Sequence, residues 1–166
     1  MTGQVQTVVL MPAELEVQRA TNSTGVPDDE RFQLWVEAAL AGKPDQFTLS
    51  IRVVDESEAR RFNCDYRNKD YATNVLSFPA ELPEGLPTEI RQYQLGDILI
   101  CAPVVEREAS EQQRSEDDHW AHLTIHGVLH LLGYDHEQAD EACVMESLET
   151  RILAELGISD PYEDLS

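Results

Sequence analysis

Phe47-Thr48-Leu49-Ser50-Ile51-Arg52-Val53 alternates apolar and polar side chains at every step. A period of two places Phe47, Leu49, Ile51 and Val53 on one face of an extended chain, so the stretch predicts a strand with one side against a core. Toward the N-terminus, Asp28 can cap a helix in which Phe32, Trp35, Val36, Ala39 and Leu40 form one apolar stripe, closed by Gly42 and Pro44. Leu15 and Val17 alternate with polar neighbours as in another strand, and residues 1–11 read as a flexible extension. Toward the C-terminus, Asp55 with Glu58 has the form of a capping box opening a helix toward Tyr66. Asn74-Val75-Leu76-Ser77-Phe78-Pro79 and Leu95-Gly96-Asp97-Ile98-Leu99-Ile100-Cys101 predict two further strands. The stretch between them carries Pro83, Gly85 and Pro87 and is long for a compact connection, which makes it a candidate functional loop.

Three helices are predicted beyond Cys101, from Pro103 to about Gln113, from Ser115 to about Leu132 and from Ala139 to Leu156. The last has Met145, Leu148, Ile152 and Leu156 on one side and acids on the other, the pattern of a core-packing helix. Strands crowd into the first hundred residues and helices fill the rest. That segregation defines the α+β class: a single small domain, residues 1–166, with about four strands in a mixed sheet and about five helices. A chain of 166 residues suits one core, and 42% hydrophobic with 27% charged residues excludes disordered and fibrous classes.

No apolar run approaches the ~18 residues of a membrane span, so no membrane association is expected. The first 18 residues hold no Lys or Arg, so the Val8-Val9-Leu10-Met11 patch lacks the basic flank of a secretory signal, and a cytoplasmic location is expected. Cys64, Cys101 and Cys143 are odd in number, far apart and outside any C-x-x-C, so they read as buried small apolar residues and not as disulfides or a thiolate metal site.

The 12 basic and 32 acidic residues give a net charge of −20, which opposes a nucleic-acid partner held by phosphate neutralisation. The distribution is uneven, however. Arg52, Arg60, Arg61, Arg67 and Lys69 form one local basic strip, whereas the chain from Glu106 onward is strongly acidic.

His126-Gly127-Val128-Leu129-His130-Leu131-Leu132-Gly133-Tyr134-Asp135-His136 holds three of the five histidines. Residues four apart on a helix differ by only about 40° in direction, so His126 and His130 project side by side and can share a metal. Gly133 accepts the left-handed conformation needed to reverse the chain, after which His136 can return as a third ligand. Three imidazoles without a fourth protein ligand describe an open site, the catalytic pattern for one Zn²⁺ per chain. His119 and His122 lie on neighbouring helix faces and read as packing or supporting groups.

This spacing is that of the zinc proteases called metzincins. Those enzymes carry Glu after the first His as general base, and this chain has Gly127, which speaks against a metalloprotease-like hydrolase.

Read whole, the His126 to His136 stretch resembles the signature of the YbeY family, the bacterial metal-dependent endoribonucleases of ribosomal RNA maturation. Tyr66-Arg67-Asn68-Lys69-Asp70 with Thr73-Asn74-Val75-Leu76-Ser77-Phe78-Pro79, Leu95-Gly96-Asp97-Ile98 and His119-Trp120-Ala121-His122 also match family blocks. The resemblance runs from about Leu49 to Tyr162. Tyr71-Ala72 departs from the family's usual Lys-Pro. By position, the resemblance implies His126, His130 and His136 as zinc ligands and Arg67 as the catalytic or substrate-binding arginine. It also implies a zinc-dependent single-strand endoribonuclease acting in maturation of the 16S ribosomal RNA 3′ end and in ribosome quality control, with no nucleotide cofactor. The acidic charge further predicts recruitment to the small ribosomal subunit by an associated protein. The remaining alternative is a ribosome-assembly binding module whose metal is mainly structural. Asn74 and Ser77 are candidates for substrate contact along a sheet edge, or simply polar residues on an exposed strand face.

Overall fold

The computed structural model describes residues 13–43, 46–81, 84–85, 94–135 and 137–162. Residues 1–11, His136 and most of the loop between Pro79 and Leu95 lie outside them. Four strands, β1 (Ala13–Ala20), β2 (Phe47–Val54), β3 (Val75–Pro79) and β4 (Gln94–Cys101), form one sheet in the order β1-β2-β4-β3. β1, β2 and β4 run parallel, whereas β3 pairs antiparallel with β4 at the edge, so the sheet is mixed. Five helices complete the described residues: α1 (Asp29–Ala39), α2 (Glu56–Arg67), α3 (Ala102–Glu111), α4 (Glu116–Leu131) and α5 (Ala139–Glu155). This is the α+β domain expected from the chain. No helix among the described residues is long and apolar enough to cross a membrane.

The alternation along β2 does what a period of two requires. Phe47, Leu49, Ile51 and Val53 are all buried, and with Ile98 and Ile100 of β4 they form a floor for α1 and α4. Phe32 of α1 meets Trp120 of α4 edge to face at 5.9 Å and locks the two helices over that floor. Each such fully buried side chain contributes about 1.5–3 kcal/mol. A smaller cluster on the opposite face joins Ala59 and Phe62 of α2 to Leu76, Phe78 and Leu99. Alternation in the edge strand thus sends Leu76 and Phe78 toward α2 and leaves Val75 and Ser77 for α4.

Caps set the helix starts. The Asp28 side chain accepts from the Arg31 backbone N–H at 2.9 Å, and Ser115 accepts from that of Asp118 at 3.1 Å. The expected capping box at Asp55 and Glu58 does not form. Asp55 precedes α2 but accepts instead from the Thr21 hydroxyl and, at 3.2 Å, from the Asn22 backbone, tying the end of β1 to α2. Glu58 is drawn to Arg52, a charged partner across the strand-to-helix turn, with an Nη2 to Oε1 distance of 2.9 Å. Two further expectations are corrected. Only Cys101 is buried, because Cys64 and Cys143 fall on outward faces of α2 and α5. The acids of α5 are not all on its solvent side: Glu149, one turn after Met145, is completely buried.

Candidate metal centre

α4 runs buried through the domain, with Trp120, Leu123, Ile125, Val128 and Leu129 in the core. Its remaining stripe carries His119, His122, His126 and His130, whose rings follow one another at centroid distances of 6.1, 6.2 and 4.5 Å. His126 and His130 face each other through Nε2 atoms 3.0 Å apart. The helix ends one residue beyond His130. Gly133 has φ +102°, its N–H bonds the His130 carbonyl and that of Tyr134 bonds the Leu129 carbonyl, both at 3.0 Å. These two bonds make a Schellman motif that only a residue tolerant of positive φ closes cheaply, and it ends α4.

The other nitrogen of His126 is also engaged. Its Nδ1 donates to Glu149 Oε1, while Glu149 Oε2 accepts from His122 Nε2 at 3.0 Å and from the Tyr162 hydroxyl. Burial pushes the Glu149 carboxyl up, but bonds from His122, His126 and Tyr162 outweigh it and hold the group at about 2. Burial lowers His122 from its ordinary value, against the opposing pull of the Glu149 carboxylate.

His122, His126 and Glu149 have donor atoms within 4.8 Å of one another and could hold a metal ion. His126 is common to this group and to the His126–His130 pair, which engage its opposite nitrogens. Solvent access separates the two. Glu149 has no exposed surface, whereas His126 keeps 21% of its side chain exposed. A metal that must meet a substrate needs an open position, and the His126–His130 pair, both partly exposed, meets that need better than a group closed by the buried Glu149. Two converging, partly buried imidazole nitrogens fit a divalent cation.

At the other end of the histidine stripe, His119 Nε2 lies 3.0 Å from Glu108 Oε1, which also accepts from Asn74 Nδ2 at 2.9 Å. Ser77 donates to the Gly127 carbonyl at 3.0 Å. Asn74 and Ser77 therefore hold β3 against α3 and α4. Gly127 itself faces β4: a Cβ here would lie 3.0 Å from Ile98 Cγ2. The position occupied by a general base in metzincins points into the sheet in this fold.

Arg67 is the last residue of α2 and is exposed. Its neighbour Tyr66 packs edge to face on Phe78 at 5.1 Å, and Asn68 caps the helix at φ 57°. The turn that follows is fastened where the Asn63 side chain donates to the Tyr71 carbonyl at 2.8 Å. The basic strip is partly neutralised, since Arg52 pairs with Glu58 and Arg60 with Asp70 at 2.7 Å. Among the described residues, Arg67 has no ion-pair partner. Edge strand β3 lies between Arg67 and the histidines, touching α2 through Phe78 and α4 through Ser77.

Sequence reasoning missed Glu149. The available signal was its position, four residues after Met145 and three before Ile152, inside the apolar stripe of α5.

A mixed α+β sheet carrying a histidine-lined helix with a buried carboxylate behind it is the frame of a metal-binding enzyme domain. Residues 16–157 match the family model described as Endoribonuclease YbeY. Relatives named Endoribonuclease YbeY include one from Alkalilimnicola ehrlichii, 59% identical over 152 residues covering 90% of each chain. Another from Xanthomonas campestris pv. campestris is 57% identical over 149 residues, 90% of this chain and 92% of that protein. The solution structure of a Thermotoga maritima protein, at 24% identity, matches the fold with a TM-score of 0.54 over 90% of this chain and all of the other. The chain belongs to the YbeY family of endoribonucleases, hydrolases of RNA phosphodiester bonds.

Proposed function

We propose that this protein is a zinc-dependent endoribonuclease that cuts single-stranded ribosomal RNA in maturation of the 16S 3′ end and in ribosome quality control, with His126, His130 and His136 as zinc ligands. The observation that carries this reading is the 3.0 Å approach of His126 Nε2 to His130 Nε2, two partly exposed rings of α4. Tetrahedral zinc about 2.0–2.1 Å from each nitrogen needs its ligand atoms roughly 3.3 Å apart, close to the pair as it stands. When bound, a divalent ion supplies Lewis-acid stabilisation of charge on the nonbridging oxygens of a phosphodiester.

Arg67 is the proposed phosphate-binding residue. Its planar guanidinium can give a phosphate two parallel hydrogen bonds. The absence of an acidic partner among the described residues supports this, in a chain of 32 acids. A net charge of −20 works against tight binding of free RNA, so affinity is assigned to a protein associated with the small ribosomal subunit, in the cytoplasm.

The test is elemental analysis coupled to cleavage of a single-stranded ribosomal RNA fragment. Wild type should carry about one zinc and cut internally, and Ala at 126, 130 or 136 should lose most of both. Full zinc content in all three variants would remove the ligand assignment, and loss of zinc with wild-type cleavage would remove the metal from the reaction.

A further inference from the structure

We infer that Glu149 is a positioning residue for the metal centre, fixing the His126 ring and its tautomer from behind through Nδ1 so that Nε2 is presented to the ion. The inference rests on the zinc reading above and extends it to a helix and a C-terminal segment outside the histidine motif.

Accounting for the carboxylate leads there. Glu149 is fully buried in the apolar stripe of α5, with Met145, Ile152 and Leu153 around it. For stability alone, an apolar side chain of similar volume would serve such a stripe as well or better, because a buried charge costs several kcal/mol that its partners only repay. The two oxygens divide their work. Oε2 is satisfied by His122 Nε2, 3.0 Å away, and by the Tyr162 hydroxyl. Oε1 is given to His126 Nδ1.

An ionised carboxylate only accepts, so His126 must carry its proton on Nδ1, and its Nε2 is then a lone pair. That is the nitrogen facing His130 Nε2 at 3.0 Å. A carboxylate behind a ligating imidazole orients the ring and raises its basicity, and removing such a partner weakens metal binding by about 10–100-fold. Tyr162 reaches Glu149 because the segment after α5 folds back: the Tyr162 backbone N–H bonds Asp160 Oδ1 at 2.8 Å, and the Tyr162 ring stands edge-on to His122 at 5.5 Å. The end of the described chain thereby closes the back of the site.

The test uses zinc alone as probe. The dissociation constant is measured by competition with a chromophoric chelator for wild type, Glu149→Gln, His126→Ala and His130→Ala, with circular dichroism to establish folding. The tautomer of His126 in the wild-type apoprotein is read from its ring ¹⁵N shifts. Glu149→Gln should weaken zinc binding by about 10–100-fold while remaining folded, and the wild-type ring should be the Nδ1–H tautomer. Wild-type affinity in folded Glu149→Gln, or an Nε2–H ring in the wild type, would overturn the inference. The tautomer measurement decides by itself if the variant does not fold. Zinc lost as completely in Glu149→Gln as in His126→Ala, with His130→Ala unaffected, would instead make Glu149 a ligand. Wild-type affinity in both His→Ala variants would refute the zinc reading itself.

Discussion

Gly127 of α4 lies so close to Ile98 of β4 that a side chain beginning at residue 127 would meet Ile98 Cγ2 at 3.0 Å and Cδ1 at 3.1 Å. Without a Cβ at the residue between the histidines, the helix settles on the sheet at this depth with no shift of Ile98, and Ser77 fastens it there through the Gly127 carbonyl. Gly127→Glu should therefore not convert the site to a peptidase. Its carboxylate would be forced into Ile98 and not over the metal, at a cost of at least about 3 kcal/mol from overpacking and burial of a charge. Urea unfolding and a peptide-library assay check this; a stable variant that cuts peptides would contradict it.

Gly96 is a second position without room. It stands at the register shift between β2 and β4 with φ +131°, and a Cβ would lie 2.1 Å from the Phe78 carbonyl oxygen. Gly96→Ala should lose more than about 3 kcal/mol by straining the backbone and splitting β3 from β4. A denaturation midpoint close to wild type would show that the strand can shift to accept it.

Arg67 tests phosphate recognition separately from metal binding. Having no ion-pair partner among the described residues, it should be replaceable by Ala or Lys within about 0.5 kcal/mol of wild-type stability and with zinc content unchanged. Loss of a guanidinium that stabilises transition-state charge should lower cleavage on the order of 10²-fold. Lys keeps the charge but not the fork, and should also be strongly impaired. Wild-type cleavage by Arg67→Ala would return this residue to the solvated surface.

Acid sensitivity should trace in part to Glu108. Burial pushes its carboxyl up, but hydrogen bonds from His119 and Asn74 prevail and hold it below the ordinary range. The folded state then binds protons less readily than the unfolded chain. Its contribution is fully present well above the unfolded glutamate value and is lost as pH falls toward and through the lower folded value. Glu58, held down by Arg52, acts in the same direction. The urea midpoint should drop on acidification below about pH 5, and less steeply in Glu108→Gln. Equal slopes would exclude Glu108 as a contributor.

Removing the metal distinguishes a catalytic from a structural role. The main core is apolar side chains of the sheet, α1, α4 and α5, and does not depend on His126 or His130. Treatment with a chelator should abolish cleavage while leaving the far-ultraviolet spectrum unchanged, and added zinc should restore activity. Unfolding on chelation would favour the assembly-module reading.

The local chain contained much of this protein. Alternation along Phe47 to Val53 specified β2 and its buried face, Asp28 and Ser115 specified where α1 and α4 begin, and four-residue spacing placed His126 beside His130. Each depends on backbone geometry that repeats within a few residues, so sequence spacing alone determines it. Asp55 and Glu58 had an equally good local pattern, but the partners that claimed them come from elsewhere: Thr21 with Asn22 just beyond β1, and Arg52 in β2. Glu149 was decided by tertiary structure in the same way. As a lone acid among acids, it resembles a solvated residue until α5 is laid against α4 and the C-terminal segment folds back. Only then do His122, His126 and Tyr162, far away in sequence, surround its carboxylate closely enough to keep a charge in the core.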